Sequence, residues 1–174
     1  MRTCWLSALP ILLMASSCYN EDAYFKVAEE RIRKYKPHRK DLAIVVDYRK
    51  NIFRERLYLL DMRKREIILS SNVSHAGWSG LLWVWFYSNK VGSNRSSKGN
   101  FLTAEVYSGR YGRSMKIKGL DKGVNDNVCA RAVVFHSDRK MPYLWSNGCF
   151  ATPEDVNRRI IDRTQGGVLV CVID

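Results

Sequence analysis

A histidine and a cysteine thirteen positions apart, His136 in "AVVFHS" and Cys149 in "SNGC", are the residues of this sequence best suited to chemistry. A thiol is a nucleophile at neutral pH when an imidazole takes its proton, because the thiolate attacks and the imidazolium stabilises it. Gly148 lets the backbone turn tightly ahead of the sulfur and aim amides into a pocket, where they can hold the oxyanion of a tetrahedral intermediate. Many Cys and His pairs at such a separation never meet. Spacing alone therefore leaves a packed cysteine and a nucleophile both open.

The elements that must position this pair read as a mainly β domain with flanking helices, an α+β arrangement. "DLAIVVDYR", "RLYLLDM" and "EIILSSNV" are short β-branched and aromatic runs separated by charged or polar turns, the pattern of an antiparallel meander. "NFLTAEVYSG", "RSMKIKGL" and "ARAVVFHS" add three strands, the last delivering His136 at its mouth, and Val168 to Ile173 closes the domain. Residues 21 to 36 place Ala23, Val27, Ile32 and Tyr35 at helical spacing, with acids early and bases late, and Pro37 ends that helix. A second helix follows Cys149 in "TPEDVNRRIIDRTQGG", with Thr152 as its N-cap, Pro153 at the first helical position and a glycine at its end. Between the strand groups, residues 74 to 99 form a long loop rich in Gly, Ser and Asn. It carries Trp78, Trp83 and Trp85, which suits either a binding surface or a core contribution.

A length of 174 residues fits one globular domain better than two. The start, "MRTCWLSALPILLMASSCYNED", has a basic residue, an apolar run from Cys4 to Ala15 and then small residues, the layout of a secretory signal over residues 1–17. That run is too short to read first as a membrane span. "ASSC" also resembles the bacterial lipoprotein signal, with Cys18 as the lipidation site and membrane attachment as the consequence. Ala15 stands where that signal usually has a larger aliphatic residue, so cleavage after Ser17 without lipid stays open. Residues 18–40 read as a helical, basic linker containing "RIRKYKPHRK", and 41–174 as the functional domain.

Lys and Arg number 29 against 17 Asp and Glu, a net charge of +12. Such a balance favours polyanions. An exported protein rarely meets nucleic acid, so anionic lipid and acidic wall polymers are the expected partners and nucleic acid is not. After processing, Cys18, Cys129, Cys149 and Cys171 remain, with no Cys-x-x-Cys to suggest a zinc ribbon or redox dithiol. Cys171 sits in the apolar run "GGVLVCVID" and reads as core; whether Cys129 packs or pairs with it stays open.

The block "VVFHSDRKMPYLWSNGCF" resembles the catalytic signature of the L,D-transpeptidases, in which a strand-borne His is followed by Ser-x-Gly-Cys. The likeness continues, in order and spacing, through "SHAGWSG", "YSNKVGSNRSSKGNFLTAEVYSGRYGRSMKIKGLD" and "GVNDNVCARAVVFH", from about Asp41 to Asp174, and is similar to the murein L,D-transpeptidase branch. It implies a mostly β domain with a cleft, needing no cofactor or metal and acting on peptidoglycan stem peptides in the bacterial cell envelope; a monomer is assumed. By this resemblance Cys149 would attack the carbonyl of the third stem residue, a diamino acid, and release the terminal D-residue. His136 would take the thiol proton, with a backbone carbonyl rather than Asp138 orienting its ring. Amides around Gly148 and Cys149 would bind the oxyanion, and Ser146 would shape the turn. The thioester would then meet an amine of a second stem, giving a cross-link, or water, giving a carboxypeptidase. Ser137 in place of Gly, Asn147 in the variable slot, Phe150 after the Cys and Ala151 instead of an Arg are departures that bear on the donor.

Other residues carry two readings each. His75 matches a His of the branch and is placed either along the cleft or as an imidazole fixing a loop. Ser88, Asn89, Ser93 and Ser97 form a polar loop suited to peptide or glycan contacts, or to a self-satisfied turn. Arg131 suits a stem carboxylate, or an ordinary surface position, and residues 125–127 read as a turn. Two alternatives to an enzyme are a wall-binding module, should Ser137 or Phe150 block the pocket, and a zinc site from His75, His136 and Cys149.

Overall fold

The apolar runs of the sequence hydrogen-bond into one sheet whose two faces are both covered. A computed structural model describes residues 9–138 and 145–174, with side chains from Glu21 onward. Residues 1–8 of the export signal, and the side chains up to residue 20 with Cys18 among them, lie outside the described residues. In chain order the elements are α1 (Leu9–Tyr35), β1 (Arg39–Asp47), β2 (Leu57–Asp61), β3 (Glu66–Ser71), β4 (His75–Ala76), β5 (Gly99–Gly109), β6 (Gly112–Gly119), β7 (Val134–Ser137), β8 (Trp145–Ser146), β9 (Phe150–Thr152), α2 (Glu154–Thr164) and β10 (Val168–Ile173). Eight strands form the main sheet in the order β3-β2-β1-β10-β5-β6-β7-β9, and β4 pairs with β8 in a small parallel ladder. No helix among the described residues is long and apolar enough to cross a membrane.

β1 explains why its run is continuously apolar. Leu42, Ile44 and Val46 point into one core with Phe101, Met115, Phe135, Phe150, Ile160 and Ile161, between the sheet and α2. Ala43 and Val45 point to the other face, where Tyr24, Phe25 and Ala28 of α1 cover them. The period of two along a strand sends alternate side chains to opposite faces, so a strand covered on both must be apolar throughout. β10 follows the same rule, with Val168, Val170 and Val172 in the first core and Leu169 and Cys171 in the second. Cys171 is a core residue, its thiol pushed up to about 12 by burial. It forms no disulfide, and neither does the exposed Cys129.

Two expectations change, and of the two readings of the loop tryptophans one drops out. The strand expected from "ARAVVFHS" begins only at Val134, because the chain before it turns through residues 121–132, pinned by Asn125. The Asn125 side chain donates to the Lys98 and Asn100 carbonyls and accepts from the Asp121 amide. Thr152 is not a helix cap: it is the last residue of β9, its hydroxyl makes no capping bond, and α2 starts from the Pro153 carbonyl, which receives the Asn157 amide at 2.8 Å. Trp78, Trp83 and Trp85 are not core residues, since each is at least 40 % exposed.

Candidate active site

Cys149 lies between β8 and β9, and its turn is built by two serines. The Ser146 hydroxyl accepts the Gly148 amide at 3.1 Å and donates to the Cys149 carbonyl at 2.7 Å. From the other side the Ser74 hydroxyl donates to the same carbonyl at 3.2 Å and accepts the Ala151 amide at 3.1 Å. Ser74 is fully buried, and it marks the sequence stretch that opens β4. Gly148 has φ 118°, and a Cβ there would lie 2.9 Å from the Arg95 carbonyl oxygen, so backbone freedom and space both demand glycine. The Cys149 thiol donates to the Ala132 carbonyl at 3.6 Å. Burial raises the thiol's pKa, opposed by the Val134 amide and by the charge of Arg131.

His136 sits in β7, which pairs with β6 and β9. Its Nδ1 is 2.9 Å from the Ser137 carbonyl, a pure acceptor, so Nδ1 carries a proton and the neutral tautomer of this ring is the one with its lone pair on Nε2. The ring stacks on Tyr111 at 4.4 Å between centroids. Tyr111 stands in the turn between β5 and β6, a position that nothing in the sequence marks beyond its aromatic character. Ser137 is buried and its hydroxyl donates to the Tyr111 carbonyl at 3.0 Å, which fixes the wall the imidazole leans on. His136 and Cys149 line one open cleft of about 570 Å³ together with Gly77, Trp78, Tyr111, Asp138, Trp145, Ser146 and Asn147.

Several residues expected at substrate lie behind the cleft instead. His75 is fully buried; its Nδ1 accepts from Arg56 at 2.9 Å and its Nε2 donates to the Gly80 carbonyl at 2.7 Å. Both ring nitrogens are thus occupied and the imidazole is neutral, with its pKa lowered to about 4 by burial, against the pull of the Gly80 carbonyl and aided by the Arg56 charge. Arg56, which the sequence reading missed, is itself buried, donates to the Val73 carbonyl at 2.6 and 2.9 Å, and lies over the Tyr48 ring at 5.0 Å.

The polar loop is organised around Arg131. Its guanidinium donates to the Ser88 and Arg95 carbonyls and to the Ser97 and Ser93 hydroxyls. Asn89 is tied to Asp126 at 2.7 Å and to Asn127. Ser88, Asn89, Ser93 and Ser97 therefore brace the loop against the segment before β7, and none of them lines the cleft. Phe150 does not obstruct it either: the ring is fully buried, stacked 4.9 Å from Phe135. No cluster of three metal-ligating side chains occurs among the described residues.

A mostly β scaffold thus brings a cysteine and a carbonyl-oriented histidine to the rim of one cleft. The chain belongs to the family of L,D-transpeptidase catalytic domains, whose model matches residues 18–172. No curated protein matches it. Among solved structures it is similar to an L,D-transpeptidase from Mycobacterium smegmatis, with 11% identity, 77% of this chain and 59% of that one covered, and a TM-score of 0.50. An Enterococcus faecium L,D-transpeptidase mutant shares 14% identity over 76% of this chain and 50% of its own, with a TM-score of 0.51. The helical cell shape determining protein Pgp2 of Campylobacter jejuni shares 13% over 79% and 49%, with a TM-score of 0.52. At these identities the likeness is one of fold, and the chain spans about half to three-fifths of the length of these proteins.

Proposed function

We propose that the protein is a peptidoglycan L,D-transpeptidase of the bacterial cell envelope that works through an acyl-enzyme on Cys149. The observation that carries this reading is the shared cleft of Cys149 and His136, with the His136 Nδ1 proton directed to the Ser137 carbonyl and Nε2 left as the base. His136 takes the thiol proton, and the sulfur attacks the carbonyl of the third, diamino-acid residue of a stem peptide. The Cys149 amide supports the oxyanion, since the Gly148 amide is held by Ser146. When the tetrahedral intermediate collapses, the peptide C–N bond breaks and His136 returns the proton to the leaving D-residue. A second stem's amine then attacks the thioester, passes its proton to His136 and restores the thiol. Water in that place yields the carboxypeptidase product, and the openness of the cleft admits either acceptor.

Export through residues 1–17 and a lipid on Cys18 complete this proposal, because they place the domain beside its substrate. The test is mass spectrometry of the protein incubated with stem tetrapeptide or a carbapenem. An adduct is expected on the wild type and not on Cys149→Ala, while His136→Ala folds normally and acylates at least a hundredfold more slowly, in the range for loss of a general base. An adduct that persists on Cys149→Ala defeats the proposal. Product analysis with a second stem peptide separates cross-link from hydrolysis.

A further inference from the structure

The loop between β4 and β5 carries an apolar surface that the chemistry at Cys149 does not use. Trp78, Leu81, Trp85 and Phe86 are each between 57 % and 72 % exposed, and Phe53 in the loop between β1 and β2 is 63 % exposed. These two loops are one surface, because the Ile52 amide donates to the Leu82 carbonyl at 2.9 Å. Trp145 on the cleft rim joins it through an Nε1 hydrogen bond to the Leu81 carbonyl at 3.0 Å. The exposure is built into the backbone, since the Trp85 and Phe86 amides both donate to the Ser79 carbonyl. A contiguous surface of large apolar side chains, fixed and facing solvent, marks an interaction site.

Charge identifies the partner. Residues 48–56 and 77–98 together hold seven basic residues, Arg49, Lys50, Arg54, Arg56, Lys90, Arg95 and Lys98, of which Arg56 is buried, against a single acid, Glu55, whose carboxylate accepts from the Ser70 hydroxyl. Arg49 and Lys98 pair with Asp47 and Asp174. Arg95 lies over the Phe86 ring at 5.4 Å, so cation and aromatic surface are interleaved. We propose that this face docks on an anionic lipid bilayer, with the Trp, Phe and Leu side chains at the head-group level and the bases on the phosphates.

A glycan strand fits the same face less well. Sugar recognition needs polar groups arranged around a flat ring, and here Ser97 and Ser96 turn inward to Arg131 and the Ala76 amide, while Asn89 is occupied at the surface by Asp126. Protruding Leu81 and Phe53 suit acyl chains. Because Trp78 belongs both to this face and to the cleft, docking sets the cleft mouth at the bilayer surface. The proposal stands independently of the reaction assigned to Cys149.

The test uses the full chain with vesicles of phosphatidylglycerol and phosphatidylethanolamine, vesicles of phosphatidylcholine, and insoluble peptidoglycan. Phe53→Ser/Leu81→Ser/Trp85→Ser is expected to lower partitioning into the anionic vesicles about tenfold or more, and Arg54→Glu/Lys90→Glu to remove the preference for them over phosphatidylcholine. Melting temperature and circular dichroism check that both variants fold. Residues 4–15 are apolar themselves, so a second measurement reads depth directly: in a Trp5→Phe background, lipids brominated on the acyl chain quench the remaining tryptophan emission if the face inserts. Absence of that quenching overturns the proposal. So does a triple variant that loses peptidoglycan binding while its vesicle binding stays intact, which would make the face a wall contact.

Discussion

At Arg131 a single guanidinium gathers two carbonyls and two hydroxyls of the Ser88–Ser97 loop and places a positive charge by the nucleophile. A nearby cation favours the thiolate, so Arg131 lowers the thiol's pKa while burial raises it. Removing the charge shifts the balance toward burial. In Arg131→Met the rate of Cys149 alkylation by iodoacetamide is therefore expected to rise only at higher pH than in the wild type, with Arg131→Lys between the two. A residue that merely braced the loop would lower the melting temperature and leave the alkylation profile in place. The sequence singles out this arginine but offers it only a stem carboxylate or an ordinary surface position. The clamp was invisible because its acceptors come from positions 88 to 97, between 34 and 43 residues upstream, and all four contacts depend on how that loop folds back.

At the scale of elements, the short parallel ladder between β4 and β8 and the pairing of β7 with β9 hold the two halves of the site in register. Gly148 is the joint between them. In Gly148→Ala the added methyl meets the Arg95 carbonyl at 2.9 Å on a backbone with φ 118°, so the turn must move. A loss on the order of 1–3 kcal/mol in unfolding free energy is expected, together with a large fall in acylation. Unchanged acylation by intact-mass kinetics would mean that the turn tolerates displacement. One residue on from Cys149, Phe150 serves packing alone. Phe150→Ala leaves Phe135, Phe101 and Tyr48 facing a void and is expected to cost about 3–5 kcal/mol in denaturant unfolding. The strand pattern, the second helix and the Cys and His pair were legible because alternation, punctuation and motif order are local. The N-cap was not: Thr152 had the right type beside Pro153, but pairing of β9 with β7 took it into the sheet.

Across the whole molecule, the buried Arg56 and His75 pair links folding to pH. Sequence placed His75 near the cleft or in a loop brace, and only the packed structure distinguishes these, since both ring nitrogens find partners inside the protein, Arg56 and Gly80. The folded state holds this imidazole at a pKa of about 4 against 6.5 for the ordinary side chain. Unfolded chains therefore bind a proton that folded ones refuse between those values, and stability rises with pH across that window. The contribution is fully present above about pH 6.5 and is lost as pH falls toward 4, by on the order of 3 kcal/mol. Buried Asp47 acts lower on the scale: burial raises its pKa, but hydrogen bonds from Arg49 and Tyr24 outweigh that and hold it below 3.8, so its contribution disappears only at more acid pH. Urea unfolding between pH 7 and 4 should thus show a steep fall for the wild type. His75→Gln, which carries no titrating proton, is expected to start less stable at pH 7 and to fall with a distinctly shallower slope. Parallel curves for the two proteins would show that acid sensitivity in this window arises elsewhere than at His75.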